Sequence, residues 1–479
     1  MCRPQLNNAH VSRTYRLPIY ENFAFEPTPA QKNAIERLGG FLCGDAQDRI
    51  FILNGYAGTG KTSLIAALVK TLSGLRVRTI LLAPTGRAAK VMSRYAGAKA
   101  YTIHKKIYRQ KSLASEDASF SLDYNKEKGA VFIVDEASML SNYSSDGSIF
   151  GSGQLLEDLI AYIRKGCDCR LIVVGDSAQL PPVGHDGSPA LDPQKMSVYG
   201  TAEAALLDDV VRQEADSGIL FNATLVRCML EAGIIDIPLF DTSFDDVEAV
   251  DGGDILEAIQ GAYGMEETIV ITRSNKRANR FNEAIRRHVL FAEEEIGSGD
   301  MLMVVKNNYH YTGREEECSV DFIANGDTAL LRRIRKFEDF YGFRFAQARL
   351  SFPDYDDLEL ECKILLDTLG SDSPSLTREQ GSRLFFAVAE DYADVPSKAK
   401  RYKQVRENPY FNAMQVKFAY AVTCHKAQGG QWRCVFVDKM LFGDEQISRD
   451  LLRWLYTAIT RATEKLYFIN FDERFFDGK

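Results

Sequence analysis

Ile50-Phe-Ile-Leu53-Asn-Gly55-Tyr-Ala-Gly58-Thr59-Gly60-Lys61-Thr62 is the stretch whose reading decides the fold. Four apolar residues, a glycine-rich run and then the helical pattern of 63–72 predict strand, loop and helix in that order. The loop matches G-x-x-x-x-G-K-[ST] at every fixed position, in the context that motif requires. Gly55, Gly58 and Gly60 let the backbone wrap, so that N–H groups, that of Thr59 among them, and the helix amino end face a phosphate. Lys61 adds a mobile positive charge at the outer phosphates, and the Thr62 hydroxyl is placed to ligate Mg²⁺.

A phosphate loop that hydrolyses its ligand also needs a magnesium carboxylate and a group that activates water. Val131-Phe-Ile-Val134-Asp135-Glu136-Ala137-Ser138 supplies both, because four apolar residues predict a buried strand whose carboxyl end presents two adjacent acids. Asp135 is the metal carboxylate, directly or through water, and Glu136 orients and deprotonates the attacking water. Leu171-Ile-Val-Val174-Gly175-Asp176-Ser177-Ala178-Gln179 repeats the pattern of a strand ending in a polar turn. Gln179 would reach a terminal phosphate by an uncharged hydrogen bond, although Gly-Asp-x-x-Gln read alone is also an ordinary turn.

Further apolar runs at 79–82, 268–271, 434–437 and 466–469 read as buried parallel strands, with helical patterns between several of them. Two groups of strands, before about residue 215 and from about 268, predict two doubly wound parallel-sheet α/β domains. The boundaries read are an N-terminal segment 1–27, a first domain 28–215, and a second assembled from 216–327 and 414–479. A small insertion at 105–129 interrupts the first domain, and a small β-rich domain at 328–413, with an acidic Ser/Pro-containing loop, interrupts the second.

The 479 residues are 45% hydrophobic and 26% charged, which excludes a largely disordered or fibrous chain and allows about three domains. No apolar run approaches the ~20 residues of a membrane span, and the amino terminus lacks a signal-peptide core, so a cytoplasmic location without membrane partners is expected. Nine scattered cysteines contain no C-x-x-C pair, which argues against a metal cluster or disulfides. The net charge of −8 argues against a general polycation. Yet no acid occurs from Arg49 to Ser115, where thirteen Lys/Arg fall within 67 residues. That segment reads as an anion-binding surface on an otherwise acidic chain, or as a depletion that acidic neighbours balance in the fold.

Asp135-Glu-Ala-Ser138, Gly175-Asp-x-x-Gln179-Leu-Pro-Pro-Val183, Ala421-Val-Thr-Cys-His-Lys-Ala-Gln-Gly-Gly430 and Tyr456-Thr-Ala-Ile-Thr-Arg-Ala462 resemble, in order, motifs of superfamily 1 DNA helicases of the RecD-like branch that includes Dda. The resemblance runs from Thr28 to about Ala462 and implies two RecA-like motor domains with ATP and Mg²⁺ between them. It assigns Thr28-Pro-Ala-Gln31 to an adenine-reading motif, although Thr28 as cap and Pro29 at the first helical position serve equally well as a bare helix start. It implies DNA contacts by Pro84, Thr85, Arg87 and His104 in the first domain and by Thr423 and His425 in the second. Gln428 would reach the nucleotide, and Arg461 the transferring phosphoryl group; Arg212 is similar to a second such arginine, or makes a surface ion pair. The insertion at 105–129 resembles in position a strand-separating pin, or is a plain hairpin, and that at 328–413 resembles an SH3-like module. The implied activity is ATP-driven translocation on single-stranded DNA, 5′-to-3′, with duplex unwinding at forks, by a monomer that meets repair or replication proteins. A translocase without efficient unwinding and an ATP-gated DNA-binding subunit of a repair complex are the alternatives.

Overall fold

The computed structural model describes residues 18–44, 49–110, 120–142, 151–209, 217–263, 267–312, 322–439 and 447–476. The chain divides into two compact units. The first comprises Met1–Pro84, Ala88–Pro238 and Ile447–Thr460, and the second Thr85–Arg87, Leu239–Gln446 and Arg461–Lys479.

In the first unit the strands are β1 (Arg49–Gly55), β2 (Thr79–Ala83), β3 (Ala100–Thr102), β4 (Tyr108–Gln110), β5 (Phe120–Leu122), β6 (Val131–Val134), β7 (Arg170–Gly175) and β8 (Thr201–Leu207). Six of them form one sheet in the order β3-β2-β6-β7-β1-β8, and every pairing is parallel. A sheet whose β1, β2, β6 and β7 are all flanked on both sides must be covered by apolar helices. The helix Pro29–Cys43 supplies Ile35, Leu38 and Phe41, and the helix Lys61–Gly74 supplies Leu64, Leu68 and Leu72, to a core that also takes Phe51, Ile133 and Ile172 from the strands. The apolar runs that predict β1, β2, β6 and β7 coincide with those strands. β8 has no such run: Thr-Ala-Glu-Ala-Ala-Leu-Leu buries only Ala205 and Leu207, and its parallel register with β1 defines it as a strand. Within 105–129, β4 and β5 form a separate antiparallel pair; the segment joining them, 111–119, lies outside the described residues.

The second unit carries β9 (Val247–Val250), β10 (Thr268–Thr272), β11 (Met301–Val304), β12 (Thr328–Phe340), β13 (Phe343–Phe352), β14 (Leu358–Leu365), β15 (Met414–Phe418), β16 (Ala421–Thr423), β17 (Trp432–Asp438) and β18 (Ala462–Ile469). Five form a sheet in the order β16-β10-β17-β18-β9, again wholly parallel. The other five close a barrel, β11 to β15 in order. Its core of Leu302, Ala329, Leu331, Ala348, Leu350, Ile364 and Val416 is separate from that of the sheet.

The unit boundaries differ from those read in the sequence. The barrel reaches outside 328–413 to take β11 and β15, since β12, β13 and β14 alone leave two open edges that these short strands satisfy. Between β14 and β15 the helices Arg378–Glu390 and Lys398–Glu407 bury Leu384, Val388 and Val405 against Phe343 and Phe345. The helix Gly218–Ala232 and the late helix Arg449–Ile459 both belong to the first unit. The latter is buried at every position from Leu451 to Ile459, so it needs an apolar seat on all sides.

Candidate active site

The phosphate loop leaves β1 at Gly55. Gly58 and Gly60 adopt φ of 70° and 79°, the left-handed region that costs a side chain about 1–2 kcal/mol and glycine almost nothing. Gly60 is also the N-cap of the helix Lys61–Gly74, so the turn and the helix start are one feature. A Cβ on Gly55 would meet Leu207 at 3.0 Å and the Lys61 side chain at 2.9 Å. Lys61 Nζ donates to the carbonyls of Gly55 (2.6 Å) and Tyr56 (2.8 Å) and stands 4.0 Å from Asp176 Oδ2. Thr62 is exposed at the helix start.

Gln31 is the N3 residue of a capping box, with its Oε1 accepting from Thr28 N and its own N–H reaching Thr28 Oγ1. Its Nε2 donates to Thr59 O at 2.9 Å, and the side chain is 2% exposed. The bare helix start is therefore present, and the amide also braces the phosphate loop.

The sheet order places the ends of β1, β7 and β6 side by side. At the end of β6, Asp135 Oδ1 accepts from the Glu136 amide at 2.8 Å and Oδ2 accepts from the Tyr95 hydroxyl at 2.6 Å. Glu136 has φ of 52° although it is not glycine; such a backbone costs on the order of 1–3 kcal/mol and is held where a side chain must be aimed. At the end of β7, Asp176 Oδ1 accepts from Ala178 N at 2.9 Å, and Oδ2 accepts from the Tyr456 hydroxyl at 2.6 Å. That hydroxyl also accepts from Ala57 N, inside the phosphate loop, at 2.8 Å. The next residue of the helix Arg449–Ile459 presents Thr457 Oγ1 to Leu180 N at 2.8 Å. Burial, with the neighbouring carboxylate next, holds the phenols of Tyr95 and Tyr456 well above their ordinary range, so both remain donors.

Among the described residues, the buried Gln179 Oε1 and Ser138 Oγ have no hydrogen-bond partner. Polar atoms buried without partners are costly, and at the rim of a phosphate loop they suit groups that a bound nucleotide and its waters would satisfy. The Thr62 hydroxyl and the Asp135 carboxylate are hard oxygen donors of the kind Mg²⁺ takes.

Pro84 and His104 lie in the first unit, and Thr85 and Arg87 group with the second. His104 follows the Thr102 cap of the helix Ile103–Ile107, and burial pushes its imidazole down to about 4, so it is neutral at pH 7. In the second unit the Arg87 guanidinium lies 4.1 Å from the centre of the Trp432 ring, and Nη2 donates to Gln431 O. Thr423 is the N-cap of the helix Cys424–Ala427, His425 is exposed, and Gln428 is buried. Arg461, 4% exposed, donates from Nη1 to Gly430 O at 3.2 Å, while its carbonyl accepts from Trp432 N. Arg212 lies outside the described residues. In the acid-free segment Arg49 pairs with Glu203, Arg78 and Lys106 share Glu127, and Arg109 pairs with Asp123. The fold thus balances part of that charge locally.

Sequence reasoning gave no part to Tyr95, Tyr456 or Asp176. Asp176 and Tyr456 stand inside quoted motifs, which was a usable signal; Tyr95 has none, since its partner lies 40 residues away.

Residues 27–227 match the AAA domain family, and residues 418–469 match the UvrD-like helicase C-terminal domain. The chain is 25% identical over 442 residues to the ATP-dependent DNA helicase dda of Enterobacteria phage T4, covering 87% of this chain and 93% of that one. It is 30% identical over 200 residues to the ATP-dependent RecD2 DNA helicase of Deinococcus radiodurans, covering 40% of this chain and 24% of that one. An uncharacterized protein of Methanocaldococcus jannaschii is 25% identical over 460 residues, and the chain spans 37% of its length.

Proposed function

The chain belongs to the superfamily 1 helicases, in the branch of RecD and Dda, and from that premise we propose that it is an ATP-hydrolysing DNA helicase that moves 5′-to-3′ on single strands and opens duplex at forks. The observation that carries this reading is the convergence of three neighbouring strand ends on one phosphate loop. β1 brings Lys61, β6 brings Asp135 and Glu136, and β7 brings Asp176 and Gln179.

ATP is the substrate. Lys61 leaves the carbonyls of Gly55 and Tyr56 to meet the outer phosphates, and the loop amides hold the inner ones. Thr62 and Asp135 hold the divalent cation, which when bound neutralises charge on the phosphoryl oxygens. Glu136, aimed by its left-handed backbone, takes a proton from the attacking water, and Gln179 Oε1 accepts a hydrogen bond from that water or one beside it. Arg461 and Arg212 stabilise the charge that develops on the transferring group.

Pro84, Thr85, Arg87, His104, Thr423 and His425 contact the strand, through its backbone rather than its base edges, so little sequence preference is expected. We take the β4–β5 pair as the strand-separating pin and the barrel as the SH3-like module. DNA-stimulated ATPase, together with unwinding of forks carrying a 5′ or a 3′ tail, tests the proposal. Stimulation with unwinding only from the 5′ tail is the expected result. Stimulation without unwinding would favour a translocase, and ATP-dependent binding with little turnover would favour a clamp subunit.

A further inference from the structure

The segment Pro84–Arg87, a bend at Pro84 and Thr85 followed by the start of a helix, joins two elements that both grip Asp135. On one side β2 runs in parallel register beside β6, and its Leu82 carbonyl accepts from Asp135 N at 2.9 Å. On the other side the helix Gly86–Ala96 runs on to Tyr95, whose hydroxyl donates to Asp135 Oδ2 at 2.6 Å. Met92 seats this helix in the sheet core, with Tyr95 and Ala96 packed against that core. Ser93 ties it to the start of β3 by accepting from Ala100 N. From Arg87 to Tyr95 the helix rises about 12 Å, so its first turn and the phenol are joined by continuous helical backbone. The carboxylate itself has two aligned donors, the Glu136 amide on Oδ1 and the phenol on Oδ2. Removing the phenol leaves one, and the group is then free to swing about χ2.

We propose that Tyr95 is a positioning residue: its hydroxyl orients Asp135 toward the divalent cation of the bound nucleotide, and the helix Gly86–Ala96 makes that orientation respond to a strand engaged at Pro84–Arg87. The inference rests on the function proposed above. Partners that orient a metal ligand in this way alter metal affinity by about 10–100-fold when removed.

The test is calorimetric binding of ADP to the parent chain, Tyr95→Phe and Lys61→Ala, in chelator and in Mg²⁺, with and without a thymidine oligonucleotide. Tyr95→Phe keeps the ring, and water reaches the half-buried Asp135, so its thermal melt should follow the parent. Its affinity for ADP in chelator should match the parent, while the tightening produced by Mg²⁺ should fall about tenfold. In the parent the oligonucleotide should change the Mg²⁺ midpoint, and in Tyr95→Phe it should not. An unchanged Mg²⁺ effect in the variant would overturn the orienting role. A Mg²⁺ midpoint in the parent that ignores the oligonucleotide would overturn the coupling. Loss of ADP binding in chelator is expected of Lys61→Ala alone. A parent that binds no ADP would instead remove the nucleotide site, and the inference with it.

Discussion

At the scale of single residues the site rests on a few groups whose removal has distinct signatures. Lys61→Ala should abolish ATP turnover while the circular dichroism spectrum stays that of the parent, because Lys61 bonds to loop carbonyls and meets Asp176 only at 4.0 Å. Glu136→Gln should bind ATP normally and hydrolyse it at least about 100-fold more slowly, as expected when a general base is lost; single-turnover kinetics separates the two effects. Tyr456→Phe strips the Ala57 amide and Asp176 Oδ2 of one buried partner each. The expected cost is about 1–3 kcal/mol per orphaned group in a urea unfolding curve, with weaker ADP binding. The placing of Lys61 and Thr62 after β1, and of Asp135 and Glu136 after β6, was legible in the sequence because each pair is fixed by spacing from its own strand. Tyr456 was not, since its two partners lie 399 and 280 residues away.

Among the elements, strands buried on both faces announced themselves as apolar runs, and the half-exposed edge strand β8 did not. β8 is held by its register with β1 and by the ion pair of its Glu203 with Arg49. In the barrel, β11 is an apolar run, Met301-Leu-Met-Val304, and only its antiparallel pairing with β12 and β15 assigns it to the barrel rather than to a parallel sheet. At the turn that opens β12, Asp327 is 1% exposed. Its Oδ2 accepts from Tyr355 and from Ala324 N, and its Oδ1 has no partner among the described residues. Burial, the largest cause, pushes its carboxyl up to about 7, with Tyr355, Ala324 N and Lys426 opposing and Asp354 adding to the rise. A carboxyl raised in the folded state contributes stability that is complete below its ordinary 3.8 and is lost as pH rises through about 7. Asp327→Asn should therefore flatten the decline in unfolding free energy between about pH 4 and 7, a slope of up to about 1.4 kcal/mol per pH unit. Melts at stepped pH read it directly.

For the whole molecule the charge arrangement sets the response to salt. The chain carries −8 overall, yet thirteen cations and no acid occupy 67 residues that hold the phosphate loop and the strand contacts proposed at Pro84, Thr85, Arg87 and His104. Binding to a thymidine oligonucleotide should weaken linearly in log–log form with rising salt, through counterion release, as fluorescence anisotropy would follow. Because Arg49, Arg78, Lys106 and Arg109 already pair with Glu203, Glu127 and Asp123, the slope should be far smaller than thirteen cations would give. By itself the sequence determined what is local in the chain: the phosphate loop, the acid pair after its strand, and the alternation that makes parallel α/β sheets. Such features need only neighbouring residues in the correct periodicity. Tertiary structure alone decided the order of the strands, the closure of the barrel, and the seating of the helix Arg449–Ile459 so that Tyr456 meets the loop from β1. It also decided the bond from Tyr95 to Asp135. Each of these joins groups far apart in the chain by hydrogen bonds or packing, and nothing in the spacing of residues records where a distant partner will come to rest.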